Sequence, residues 1–193
     1  ADNGSDANDG LSKETALKTV AAAYAKTVTN HDDVIVLSSN AGHTLTSMLD
    51  VSKNRVHFVG AGAPGRKYGQ RARLSMGVTT AATDIGAVKV TGIGCSFTNI
   101  KFTSTNTKAE SIYTVVEGGE YTIYQNCEFY KGTDLNETTA SELVANGDST
   151  QYINCTFGSL ADAVSGNIIR AAVRLTKGIA GAGKVARDNY FEN

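Results

Sequence analysis

Hydrophobic and polar positions alternate along most of this chain in short runs, and the runs are broken by Gly, Asn, Ser and Thr. Such a pattern predicts short half-buried strands. In the second half the pattern repeats. VKVTGIGCSFTNIKF (88–102), VVEGGEYTIYQNCEF (115–129) and LVANGDSTQYINCTF (143–157) align without gaps, at offsets of 27 and 28 residues. The shared template is [VL]-x-x-x-G-x-x-x-x-[FY]-x-N-x-x-F. A looser fourth copy runs from AVRLTKG (172–178) to Ala186–Phe191, and aligning Phe191 with the last Phe puts Asp188 where Asn stood.

A unit of this length holds no convincing helix and is too short for a four-stranded propeller blade. It fits one coil of a parallel β-helix, in which three short strands complete each turn and coils stack at ~4.8 Å. Matched columns then become ladders. Phe102, Phe129 and Phe157 are expected to stack inward, with Ile100, Cys127 and Cys155 inward two residues earlier. Phe97, Tyr124 and Tyr152 form a second stack. Asn99, Asn126 and Asn154 fall at a tight corner, where Asn tolerates a left-handed backbone and its amide can reach the next coil. Ligand contact is the functional alternative for these Asn residues; the structural ladder is the preferred reading. Cys127 and Cys155 would be neighbours, but parallel in-register positions rarely allow disulfide torsions, so buried free thiols are expected.

Leu17, Val20, Ala21 and Tyr24 recur at helical spacing and predict an amphipathic helix over 15–28. Ahead of a solenoid, such a helix caps the open end. Residues 1–30 are thus read as a turn and cap, and 31–193 as coils of one domain, about five or six in number. Strand candidates precede the repeats at 34–37, 55–59 and 72–76. In the last, Ala72, Leu74 and Met76 face one way and Arg73 and Ser75 the other.

Gly60 to Gly65 spell G-x-G-x-x-G, the fingerprint of a dinucleotide site. That site needs a helix starting inside the glycine run. Pro64, Gly65 and RKYGQ occupy its place, and the next strand arrives by Arg73. A coil corner after 56–59 is the expected role, and no nucleotide is expected.

Composition adds bounds. The chain has 193 residues, 41% hydrophobic and 19% charged, with net charge −1, which fits a folded domain that is not a general polyanion binder. No apolar run approaches the ~18 residues of a membrane span. Three cysteines, without a C-x-x-C, do not make a disulfide framework or a zinc site. His31, His43 and His57 are scattered. No metal or other cofactor is expected. No basic, apolar leader opens the sequence, and Ala1 fits either initiator-Met removal or a trimmed end. Asp6, Asn8, Asp9 and Gly10 lack the spacing of a calcium loop, so a turn that pins the helix is expected. Arg66, Lys67, Arg71 and Arg73 concentrate four cations in eight residues and are candidates for partner binding. Nucleic acid is not the expected partner, because no aromatic platform accompanies them.

Gly4-Ser5-Asp6-Ala7-Asn8-Asp9-Gly10-Leu11-Ser12, then VIVLSS (34–39), then VHFVGAG (56–62) resemble the opening of pectate-lyase-like right-handed β-helix proteins. The resemblance implies a right-handed, single-stranded parallel β-helix with a capping α-helix. That family contains polysaccharide lyases and hydrolases, phage tailspikes and non-catalytic virion proteins. Hydrolysis of a glycosidic bond needs two facing carboxylates. Lyase chemistry needs a base and a charge-stabilising group. Neither constellation is visible. Asp32-Asp33 is the only D-D pair. Glu117, in the column of Val90 and Ala145, is the one catalytic candidate. Buried, it would have a raised pKa, but Gly118-Gly119 is expected to bend it out to water. Asp134, Glu137, Glu142 and Asp148 are expected in solvated loops. The reading that follows is a non-enzymatic structural β-helix of a bacteriophage virion, a capsid decoration or tail-associated component, trimeric and in contact with other virion proteins. Its alternative is an extracellular or spike protein that binds or degrades polysaccharide.

Overall fold

The computed structural model describes residues 3–39, 42–62, 72–77, 86–105, 112–131, 140–158, 171–175 and 190–192. One helix, α1 (Val20–Lys26), precedes the strands. The first coil is β1 (Asp33–Ser38), β2 (Gly42–Leu45) and β3 (Leu49–Val51). The second is β4 (Val56–Ala61), β5 (Ala72–Met76) and β6 (Val88–Val90). The third is β7 (Ser96–Thr98), β8 (Ile100–Ser104) and β9 (Tyr113–Glu117). The fourth is β10 (Ile123–Gln125), β11 (Glu128–Lys131) and β12 (Ser141–Ala145). Then come β13 (Gln151–Ile153), β14 (Thr156–Phe157) and β15 (Ala171–Leu175), and finally β16 (Tyr190–Glu192).

Every third strand pairs, in parallel, into three sheets: a first of order β1-β4-β7-β10-β13-β16, a second of β14-β11-β8-β5-β2 and a third of β15-β12-β9-β6-β3. This is a parallel β-helix. Its register sets the ladders. Phe97 lies between Phe58 and Tyr124, and Phe102 between Leu74 and Phe129. The rings of Phe58, Phe97, Tyr124, Tyr152 and Phe191 stack at centroid spacings of 4.9, 5.0, 5.2 and 4.8 Å. Phe102, Phe129 and Phe157 stack at 5.2 and 4.9 Å, with their rings edge-on to the first stack. Aromatic area and ring geometry thus combine along the axis.

Phe191 differs from the sequence alignment. It pairs with Tyr152, not Phe157, so the fourth copy is shifted. The gain is a near-parallel stack on Tyr152 at 9°.

A tight Asn corner joins β7 to β8, β10 to β11 and β13 to β14. Asn99, Asn126 and Asn154 have φ of 59°, 53° and 52°. Asn99 Nδ2 donates to Gly60 O at 3.0 Å and Gly62 O at 2.7 Å, and Asn154 Nδ2 donates to Asn126 Oδ1 at 2.5 Å. Gly60 has no room for a side chain, since a Cβ would lie 2.2 Å from Asn99 O. Asn99→Ala is expected to cost about 2–3 kcal/mol, summing lost hydrogen bonds and an unfavourable left-handed Ala. Asn99→Gly removes only the hydrogen bonds and should cost less. Urea unfolding of the two variants checks the order.

The helix is shorter than the predicted 15–28. Asp6 Oδ1 accepts from the backbone N–H of Lys18 and Thr19 at 2.9 and 2.8 Å, and Asp9 Oδ1 accepts from Leu11 N and Thr15 Oγ1. These bonds hold 5–18 in a non-helical turn, and Thr19 Oγ1 then caps α1 by accepting from Ala22 N. At the other end, Lys53 Nζ donates to the carbonyls of Tyr24, Ala25 and Thr27, a cation at a helix C-terminus. Tyr24 reaches the Phe58 ring at 6.3 Å, so the cap joins the aromatic column.

Strand bounds shift slightly. β1 and β4 extend past the expected 34–37 and 55–59, and Arg55 is a turn residue with φ 56°. β5 matches, with Ala72, Leu74 and Met76 buried and Arg73 exposed. Cys95, Cys127 and Cys155 are free thiols. Cys155 is only half-buried. Cys127 and Cys155 direct Sγ to carbonyls of the coil below, Phe97 O at 3.3 Å and Tyr124 O at 3.4 Å.

Candidate functional site

The strongest titratable candidate lies inside the solenoid. Glu117 ends β9 in the inward column Val51–Val90–Glu117–Ala145 and is fully buried. The expectation that it bends out to water is therefore corrected. The glycine corner after β9 turns the N–H of Gly119 back onto Oε1 at 2.6 Å. Tyr124 Oη donates to Oε2 at 2.5 Å, and Thr122 Oγ1 lies 3.4 Å from Oε1. Small neighbours, Ala145, Gly119 and Gly147, leave space for the carboxyl. Burial pushes its pKa up to about 7, against these three donors. The same burial, with Glu117 nearby, pushes the Tyr124 phenol well above its usual range. A carboxyl sealed in the core touches no polysaccharide, so Glu117 is a core hydrogen-bonding group.

Glu142 is also corrected. It lies in β12 and is buried rather than in a solvated loop. Asp148 is half-buried in a turn and bridges in parallel to Glu120. Arg66, Lys67 and Arg71, with Asp134 and Glu137, lie outside the described residues, as do Gly65 and the loop after it. Of the cationic run, only Arg73 is described.

A second site emerges on the outside, along the corner between the third and first sheets. Asp32, Arg55, Gly94, Tyr121 and Ser149 stack here, with φ of 61°, 56°, 69°, 56° and 56°. The backbone links the coils. Arg55 N donates to Ile93 O, Gly94 N to Glu120 O, and Tyr121 N to Asp148 O. Left-handed Arg and Tyr are costly backbone positions, held by the coil register. Their side chains project as a ledge. Tyr121 is 63% exposed, and Gly94 leaves the ledge open between it and Arg55. Two coils separate Tyr121 from Arg55, about 10 Å along the axis.

At the ledge's lower end Arg55 Nε donates to Asp32 Oδ1 at 2.8 Å, and a second contact joins Nη2 to Oδ2. His57, on the outer face of β4, has Nε2 3.3 Å from Asp32 Oδ1 and Nδ1 2.8 Å from Ser96 Oγ on β7. Arg55, then His57, hold the Asp32 carboxyl below its usual range. Next to them His31 Nδ1 contacts Asp33 Oδ1 at 2.7 Å, which raises the His31 pKa. Among the described residues no group of three or more His, Cys, Asp or Glu is placed to hold a metal ion. The ledge offers an aromatic face, a guanidinium and a carboxylate, each reaching solvent.

Sequence reasoning missed this ledge because its residue types differ at every level. One signal could have found it. Placing V-H-F-V-G in the C-S-F-T-N column aligns Phe58 with Phe97 and puts His57 directly under Ser96, 39 residues away.

No family model matches the chain, and no curated protein shows significant similarity to it. Among solved structures, one similar fold is a pectin methylesterase mutant in complex with a hexasaccharide. It has a TM-score of 0.53 and 13% identity, and the match covers 98% of this chain and 65% of that one. A second is the pectin methylesterase from Aspergillus niger in deglycosylated form, with a TM-score of 0.51, 11% identity, and coverage of 94% and 83%. This chain thus spans less than two thirds of the first structure's length. At such identities the likeness concerns architecture, and it places this chain among parallel β-helix folds.

Proposed function

We propose that this protein is a polysaccharide-binding parallel β-helix that recognises its ligand on the Asp32–Arg55–Tyr121 ledge. The observation that carries the reading is Tyr121, an exposed aromatic ring held by a left-handed corner in line with a carboxylate–guanidinium pair. Sugar rings bind through such faces, with polar groups at their edges to take hydroxyls. The similar folds are carbohydrate-acting enzymes by name, which supports a sugar ligand in general terms. Glycosidic cleavage is not part of the proposal, because the catalytic candidate Glu117 is sealed in the core.

Affinity electrophoresis against acidic and neutral polysaccharides tests this. Retardation by at least one is expected, with affinity about ten-fold weaker for Tyr121→Gly. Glycine suits φ 56°, so the variant should be as stable as the parent or up to about 1 kcal/mol more stable. No retardation by any polysaccharide, or equal retardation of the variant, would sink the reading.

A second reading keeps the non-enzymatic structural protein of a bacteriophage virion, a trimer among other virion proteins. The outer face of the first sheet favours an assembly role. Val34 and Val36 on β1 are 58% and 67% exposed, and Ile123 on β10 is 38% exposed. Aliphatic side chains aligned on one sheet face suit burial against protein. Light scattering that finds only monomer, or particles purified without this chain, would remove that reading.

A further inference from the structure

The hydrogen-bonded chain Asp32–His57–Ser96 has a use beyond glycan binding. We propose that Ser96 is the nucleophile of a slow acyl-ester hydrolase site on the outer face of the first sheet, with His57 as its general base and Asp32 as the residue that positions the imidazole. The substrate class is a small O-acyl ester presented to an open surface.

The geometry assigns the roles. His57 Nδ1 is 2.8 Å from Ser96 Oγ, within reach for proton transfer. His57 Nε2 faces Asp32 Oδ1 at 3.3 Å, so Nε2 carries the hydrogen and Nδ1 is free to accept. Asp32 is held in turn by Arg55. A nucleophile, a base and an orienting carboxylate in hydrogen-bonded sequence are recognised by roles, not by order in the chain. His57 and Ser96 sit on adjacent strands in register, so the sheet fixes their spacing.

The step balances. Ser96 Oγ bonds to the acyl carbon as its proton passes to His57 Nδ1. The ester C–O bond breaks, and the leaving alkoxide takes that proton from His57. Water then attacks the acyl-serine, delivers a proton through His57, and releases the acid and free Ser96. The nearby corner amides of Arg55 and Gly94 already donate to carbonyls of the next coil and are not free to hold an oxyanion. One missing oxyanion donor costs about 10²–10³ in rate, so the activity is expected to be slow.

The ester-hydrolase site shares Asp32 and Arg55 with the glycan ledge, but its probes, a fluorophosphonate and p-nitrophenyl acetate, report on Ser96 chemistry and not on glycan retention, so the two readings fail separately. The expected result is one phosphonyl adduct per chain, localised to Ser96 by peptide mass spectrometry. Ester hydrolysis should fall to background in Ser96→Ala. His57→Asn can keep a hydrogen bond to Ser96 without the base and should lose the adduct. Asp32→Asn suits the left-handed position, keeps the fold, and should slow labelling at least ten-fold. No adduct on Ser96 after prolonged incubation overturns the proposal. So does labelling at equal rates in the parent, His57→Asn and Asp32→Asn proteins, which would show a merely structural array.

Discussion

Raising the pH from 5 to 8 is expected to cost the fold about 3 kcal/mol, and Glu117→Gln is expected to remove most of that dependence. The carboxyl is fully buried and its pKa rises from 4.5 to about 7. Below pH 4.5 it is protonated in both folded and unfolded chains, so no penalty exists. Between 4.5 and 7 the unfolded chain releases the proton while the folded chain keeps it, and stability falls. Above 7 the full loss is in place, about 1.4 kcal/mol for each tenfold difference in proton affinity between the folded and unfolded chains. His31, raised by Asp33, adds the same sign but is exposed. Asp6, Asp9, Asp32 and Asp33 have lowered pKa values and act oppositely, losing stability only as the pH falls into the acid range. Urea unfolding at pH 5 and pH 8 reads the difference. The Gln variant can accept from Gly119 through its amide oxygen and donate its amide N–H to the Tyr124 hydroxyl, so it should be close to the parent at pH 5 and more stable at pH 8. Parallel loss in both proteins would falsify the assignment to Glu117. His31→Asn then separates the smaller surface contribution.

Replacing Gly119 by Ala is expected to cost about 3 kcal/mol or more, while Gly118→Ala next to it should cost little. A Cβ on Gly119 would lie 2.3 Å from Gly92 O and 3.0 Å from Glu117 Oε1. The same contact recurs along the column: Gly92 meets Lys53 O at 2.2 Å and Gly147 meets Gly119 O at 2.0 Å. Each obstacle is a backbone carbonyl of the coil below, which cannot retreat without parting the coils. Overpacking of this kind costs about 1–3 kcal/mol where neighbours adjust, and more where they cannot. At Gly118 the nearest atom is Val90 O at 3.4 Å, an ordinary contact. Thermal melts should therefore separate the pair by roughly 6–12 °C. Equal melting temperatures would show that the column tolerates a methyl group and that the glycines serve the backbone in another way.

Both tests concern columns, and columns are where sequence reading is strongest. The Gly, aromatic, Asn and Phe positions recur because each coil meets the same neighbour above and below, so one spacing repeats. Tyr124 and Tyr152 stack at 5.2 Å for the same reason that Asn126 and Asn154 both turn left-handed. The apolar spacing of Leu17, Val20, Ala21 and Tyr24 overextends the helix because it is a local signal. What shortens the helix is the Asp6 carboxylate, which takes the N–H groups of Lys18 and Thr19 from outside it.

The sequence alone determined the parallel β-helix, its repeat length and the residue types that stack inward, because periodic burial leaves a periodic pattern. Only the tertiary structure decided where Glu117 points, since that depends on the Tyr124 hydroxyl and the Gly119 amide meeting it in the core. Only the structure joined Asp32, His57 and Ser96, because their contact is set by coil register between segments of unlike sequence. It also aligned Tyr121 with Arg55. Stacking places side chains by their position in the coil, whatever their chemistry, so a surface ledge needs no repeated residue to exist.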